Sequence, residues 1–257
     1  MPSFVKTISI ISFFVASVQA HMRLYYPYPF QAEENPYRTG PADEYLTYPY
    51  NCCGKKTPFP CRGYLNQVGT PQGRPVATWA AGSTANFSLT GTGNHYGGSC
   101  QVGFSIDNGT TWKVVRSYEG NCPHRDGGTD PAKQTFEFTV PADMPAGDHI
   151  FAWTWFNREQ EFYMVCSPVT ITSSSNSTVS PAGASPASSS ASAPPGSSAP
   201  PHVAFADRPS FLFADLDNGC RTPNGNAEVK FPNPGPDVVQ GDGAYPLALP
   251  TGEKCGN

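Results

Sequence analysis

The stretch CQVGFSIDNGTTWKVVRSY, Cys100–Tyr118, decides the fold. Its halves, Cys100 to Asp107 and Thr111 to Tyr118, flank Asn108-Gly109, and an Asn-Gly pair between two strand-like runs is the strongest short-range signal of a β-hairpin, because both residues accept the positive φ of a tight turn. Outward from the hairpin, Thr135-Phe136-Glu137-Phe138-Thr139-Val140 alternates apolar with polar residues, the period of a strand with one buried face. Ala85 to Leu89, His149 to Phe156 and Phe162 to Ile171 add three more strands, the last two joined by a polar turn around Asn157 to Gln160. No convincing amphipathic helix accompanies them. The expected fold class is all-β, an immunoglobulin-like or fibronectin-III-like β-sandwich. The Tyr- and Pro-rich first sixty residues after position 20 show little periodicity and are expected to form long N-terminal loops at one end of it.

At the start of the chain, Lys6, the apolar run Ile8 to Val15 and the small residues of Val18-Gln19-Ala20 have the pattern of a signal peptide over 1–20. That run is shorter than the roughly 18 apolar residues of a membrane helix, so no membrane partner is expected. Residues 173–202 are almost entirely Ser, Ala, Pro, Gly and Thr, the composition of a disordered, O-glycosylated linker. The expected organisation is therefore a signal peptide (1–20), a body (21–172), the linker (173–202) and a tail (203–257). The tail is small enough to need a staple, which Cys220 and Cys255 can provide. Its end, without an apolar tail, predicts release from the cell rather than lipid anchoring.

The formal net charge of −4 excludes the basic face that nucleic acid requires. A neutral polymer recognised by stacking and hydrogen bonding fits better. Eight cysteines and three N-x-S/T sequons, at Asn86, Asn108 and Asn176, predict a secreted, extracellular, disulfide-bonded glycoprotein. A monomer is expected.

Cleavage after Ala20 makes His21 the first residue of the mature chain. An N-terminal histidine offers its α-amine and ring Nδ1 to one ion, and an α-amine pKa near ~7.7 lets a metal displace the proton at neutral pH. A second histidine completes a planar set of three nitrogens, which suits copper. No Cys/His spacing for tetrahedral zinc is present. Of the remaining histidines, His202 belongs to the linker and His149 to a strand. His95 stands in the glycine-rich Gly91–Cys100 segment, where a ligand can approach closely above an anchored base. His124, after Cys122-Pro123, is the runner-up, with a surface role favoured for it.

Four strings, in order, carry a resemblance: His21; His95-Tyr96-Gly97-Gly98-Ser99-Cys100-Gln101; Glu119-Gly120-Asn121-Cys122-Pro123; and Ala152–Arg158 followed by Glu161-Phe162-Tyr163-Met164-Val165-Cys166. With them the body resembles the chitin-active fungal lytic polysaccharide monooxygenases of auxiliary activity family 11. The tail, with Asn218-Gly219-Cys220 and Phe231–Asp237, is similar to a small chitin-binding module that often follows that domain. The resemblance implies a copper-dependent oxidation of chitin, with an external electron donor and hydrogen peroxide or dioxygen as co-substrate. It makes His21 and His95 the metal ligands, Tyr163 the axial residue, and Glu161 a carboxylate that orients the oxygen species or passes a proton. Tyr96 is a candidate for stacking on a sugar ring, as are Tyr25 and Tyr28, for which loop or core packing serves equally well. The same resemblance implies disulfides Cys61 to Cys166 and Cys100 to Cys122.

Two features depart from the family. Cys52 and Cys53 are adjacent, either bridged to each other or partly free, and Gly93 replaces a small alanine expected over the metal. Rival readings are a copper-binding protein without oxidase activity, a carbohydrate-binding wall protein, and the same enzyme acting on cellulose or another β-glucan.

Overall fold

The computed structural model describes residues 21–174 and 203–256. The signal peptide, nearly all of the linker, Asn176 and His202 lie outside them. In chain order the strands are β1 (Met22–Tyr26), β2 (Asn51–Cys52), β3 (Lys55–Lys56), β4 (Thr78–Ala80), β5 (Thr84–Gly91) and β6 (Ser99–Ser105). There follow β7 (Lys113–Glu119), β8 (Thr135–Thr139), β9 (Gly147–Phe156) and β10 (Phe162–Thr172), then, past the linker, β11 (Glu228–Val229), β12 (Val238–Gln240) and β13 (Leu247–Ala248). Among the described residues no helix is long and apolar enough to cross a membrane.

A three-stranded sheet, β1-β5-β8, faces a six-stranded one, β12-β7-β6-β9-β10-β4. Phe87 and Phe138 from the first meet Phe104 and Phe151 from the second, with Phe138 stacked on Phe151 at 5.3 Å. In β8 only Phe136 and Phe138 are buried while their neighbours are exposed, as expected of a sheet with one wet face. Strand β9 behaves differently. Ile150 to Phe156 is buried without a break, because the six-stranded sheet is covered on both sides.

The second cover comes from the N-terminal loops and from the tail. Phe30 and Cys61, with Phe211, Leu212, Ala214, Val229 and Phe231, form one apolar cluster with Ile150, Phe156, Phe162 and Met164 of β9 and β10. Phe213 meets Phe59 at 5.2 Å and Phe162 at 6.2 Å. Buried polar groups are matched across the same contact: Leu212 N donates to Gln101 Oε1 at 2.8 Å and Arg208 to the Val115 carbonyl at 2.9 Å. Strand β12 extends the sheet itself, parallel to β7, from Val238 opposite Ser117 to Gln240 opposite Glu119. The described tail shares the sheet and core of the body. A segment this short has little core of its own, and its apolar residues are buried against β9 and β10.

The N-terminal region differs from the expectation of loops throughout. It opens with β1, whose Met22 and Leu24 are fully buried and which pairs with β5 from Met22 opposite Gly91. Disulfides join Cys61 to Cys166, Cys100 to Cys122 and Cys220 to Cys255, and the adjacent Cys52 and Cys53 are bonded to each other in the turn between β2 and β3. Asn86 and Asn108 are both exposed.

Replacing Phe231 by Ala removes a ring buried against Phe156 and is expected to cost about 3–5 kcal/mol. In urea, the whole protein should unfold in one transition at a lower midpoint. A second transition, with the body's midpoint unmoved, would mean that the tail folds independently.

Candidate metal centre

His21 is fixed from its own backbone. Because Met22 pairs with Gly91, Thr92 N donates to the His21 carbonyl at 2.8 Å and His21 N to Thr92 Oγ1 at 3.1 Å. The approach is so close that a Cβ at Gly91 would collide with the His21 carbonyl. The His21 ring stacks on Tyr48, 5.0 Å between centroids and 24° between planes, and its Nε2 lies 3.9 Å from Cys52 Sγ.

His95 arrives from the loop between β5 and β6. It has φ 47° and Tyr96 has φ 57°, a left-handed conformation that costs L-residues about 1–2 kcal/mol each. Asn94 supports that turn, its amide donating to the carbonyls of His124 and Arg125 at 2.8 Å each and its Oδ1 accepting from Tyr96 N at 3.1 Å. The His95 ring lies 5.9 Å from that of His21, tilted by 59°.

Between β9 and β10, Asn157 shapes the turn that brings the carboxylates in. Its Oδ1 accepts from the backbone N of Glu159 at 2.9 Å and of Glu161 at 3.2 Å, and its amide donates to Glu161 Oε2 at 2.6 Å. Tyr163 OH donates to the same oxygen at 2.8 Å. Tyr163 is buried against Trp155, whose ring is 4.4 Å away and whose Nε1 donates to the Gly97 carbonyl at 3.1 Å. Burial first, then the Glu161 charge, pushes the Tyr163 phenol well above its ordinary pKa, so at neutral pH it keeps its proton and acts as a donor.

One ligand atom from each of His21, His95 and Glu161 falls within 4.8 Å of the others. Glu159 Oε1 stands 3.1 Å from His95 Nδ1, placed to accept an Nδ1–H, the tautomer in which the Nε2 lone pair is open to a metal. That Nε2 is buried without a hydrogen-bond partner, 3.6 Å from Glu161 Oε2. A buried nitrogen lone pair left open toward a second imidazole and a carboxylate is what a metal ligand requires. Burial lowers the His21 pKa, outweighing the opposing pull of Glu161, and favours the neutral ring that a metal needs.

The other candidates lie apart from this cluster. His124 stacks on Phe136 at 4.1 Å, and His149 Nε2 faces the Pro145 carbonyl at 2.8 Å. Tyr25 and Tyr28 pack edge-on against each other at 5.9 Å. Tyr96 is 70% exposed beside His95. Glu159, Asn157, Tyr48 and Cys52 were not anticipated; of these only Asn157, a turn-forming residue two and four positions before two acids, carried a readable signal.

Compared with known proteins, the chain is 35% identical over 213 residues to AA11 family lytic polysaccharide monooxygenase A of Aspergillus fumigatus, covering 82% of this chain and 81% of that protein. It is 31% identical to AA11 family lytic polysaccharide monooxygenase B of the same species and 30% identical to an AA11 family lytic polysaccharide monooxygenase of Aspergillus oryzae. Each of these two matches covers 93% of this chain, which spans about half of the relative, 53% and 52%. No protein-family model matches. Among solved structures, a cellulose-active polysaccharide monooxygenase from M. thermophila aligns with a TM-score of 0.31 at 16% identity, over 38% of this chain and 54% of that one. The protein is thus an enzyme of the lytic polysaccharide monooxygenase class. Within that class the chain belongs to the AA11 family.

Asn157→Ala removes the hydrogen bonds that shape the β9–β10 turn, leaving Glu161 one donor short. A loss of about 1–3 kcal/mol is expected, read as a lower urea midpoint. An unchanged midpoint would show that the turn holds without that side chain.

Proposed function

We propose that the mature enzyme acts outside the cell as a monomer, holds one copper ion between His21 and His95, and oxidatively cleaves chitin. The observation that carries this reading is the buried, partnerless Nε2 of His95, opposite His21 and Glu161. Removal of residues 1–20 adds the His21 α-amine to the donors. Two imidazoles and an amine favour copper, which heads the affinity order for nitrogen donors. Held by His21 and His95, copper would supply one-electron redox chemistry for hydroxylating a glycosidic carbon, with an external electron donor and hydrogen peroxide or dioxygen as co-substrate.

The protein's own groups prepare that chemistry. Glu159 is placed to accept an Nδ1–H from His95. Tyr163 and Asn157 both donate to Glu161 Oε2, leaving Oε1 as the oxygen able to orient a small oxygen species or relay a proton; Tyr163 would face the bound ion. Tyr96, projecting into solvent beside His95, offers an aromatic face to a sugar ring. The choice of chitin is supported by the resemblance of the His95–Gln101 and Glu161–Cys166 motifs.

The test incubates copper-loaded mature protein with chitin, a reductant and peroxide, and analyses soluble products by mass. Oxidised chitooligosaccharides are expected. Products from cellulose alone would move the substrate, and none from either polymer would overturn the enzyme reading of these residues. His95→Ala should yield no products and weaken copper binding by more than the roughly 10–100-fold typical of supporting residues.

A further inference from the structure

We propose that Glu228 and Asp242 of the tail act through Arg125 as positioning residues for the loop that carries His95. For the metal itself, this rests on the copper reading above. Arg125 makes two forked ion pairs. Its NH1 and NH2 meet Glu228 Oε1 and Oε2 at 2.9 and 3.1 Å. Its Nε and NH2 meet Asp242 Oδ2 and Oδ1 at 2.9 and 2.7 Å. The same NH1 donates to the carbonyl of Tyr96, the residue after His95.

The Glu228 side chain is 1% exposed, and its other donors come from the two segments flanking the loop base. Gly98 N donates to Oε1 at 2.8 Å and Asn121 N at 3.3 Å. Next to it Ser99 Oγ donates to the Val229 carbonyl at 2.6 Å. Among the described residues, the direct donors to this buried carboxylate therefore belong to the His95 loop, to the segment after β7, or to Arg125. The fit leaves no room: a Cβ at Gly97 would collide with both the Arg125 guanidinium and the Glu228 carboxylate.

A buried ion pair is a weak source of net stability, because desolvation consumes most of its attraction, whereas forked geometry fixes position. What this one fixes is the carbonyl adjoining His95, in a backbone that two successive left-handed residues would otherwise relax. Asp242, pulled to a pKa of about 2 chiefly by its hydrogen bond from Arg125, keeps the outer fork ionised at any ordinary pH.

The experiment uses the full mature protein and the variants Glu228→Gln, Arg125→Lys and Asp242→Asn. In the metal-free state, hydrogen exchange of the amides at 96–98 should rise at least about tenfold in the first two and by roughly threefold in the third, whose side chain is at the rim. In the copper-loaded state, affinity should fall about 10–100-fold in the first two, with an altered Cu(II) paramagnetic resonance spectrum. Arg125→Lys, which keeps the charge and loses the forks, should not rescue. The proposal is overturned if loop exchange, spectrum and affinity all match the unsubstituted protein while only the unfolding midpoint drops. Should Glu228→Gln fail to fold, the other two variants decide by the same readouts. If the unsubstituted protein binds no copper, the copper reading falls and loop exchange alone decides the clamp.

Discussion

The site depends on the register in which three central strands pair. Cys100 of β6 lies opposite Trp155 of β9, which lies opposite Tyr163 of β10. Side chains alternate faces along a strand, so a slip of one residue would turn Trp155 and Tyr163 to the opposite side. In the observed register, the loop entering β6 and the turn joining β9 to β10 emerge at one edge of the sandwich. The first carries His95; the second carries Asn157, Glu159 and Glu161. Strand β1 begins beside that edge because Met22 pairs with Gly91, and His21 follows from it. Trp155 then bridges the two halves, packed on Tyr163 and bonded to the Gly97 carbonyl.

Rigid strands alone do not give a usable centre. The histidine on the glycine-rich loop occupies a costly backbone conformation, and its imidazole must present a bare nitrogen in a nearly buried place. Both demands are met by groups already paired elsewhere. Asn94 and Arg125 satisfy carbonyls around the loop, and Glu159 orients the ring. On the other side, Asn157 and Tyr163 saturate one oxygen of Glu161. A network with every member satisfied is rigid in low dielectric, while an unsatisfied atom within it stands out. His95 Nε2 is that atom.

Much of this was legible in the sequence, and the exceptions have physical causes. The hairpin at Asn108-Gly109 and the alternation of Thr135–Thr139 carry their structure locally, and β6, β7 and β8 lie where those signals put them. Strand β1 escaped notice because two inward residues, Met22 and Leu24, are too few to show a period among tyrosines and prolines. The strand at His149–Phe156 was legible, but its burial on both faces was not, because the residues that cover its second face come from distant segments. His95 was distinguishable from His124 by its glycine-rich setting. Glu159 was not, since its reach to His95 depends on a turn with Gln160 at φ 59°, and Glu228 is more than a hundred residues from the loop it touches.

The tail was read as separate because composition changes abruptly at residue 173. A change of composition marks a low-complexity stretch, not by itself the edge of a core. Closing a flexible loop costs an entropy that grows only with the logarithm of its length, about 0.6 kcal/mol for each doubling. For the roughly thirty residues between β10 and the tail that relation amounts to about 3 kcal/mol. On the other side stand two buried phenylalanines, Phe211 and Phe231, each favouring burial by about 1.5–3 kcal/mol, and a strand added to β7. A segment past a low-complexity stretch can thus belong to the same core, here completing a cover that the N-terminal loops share.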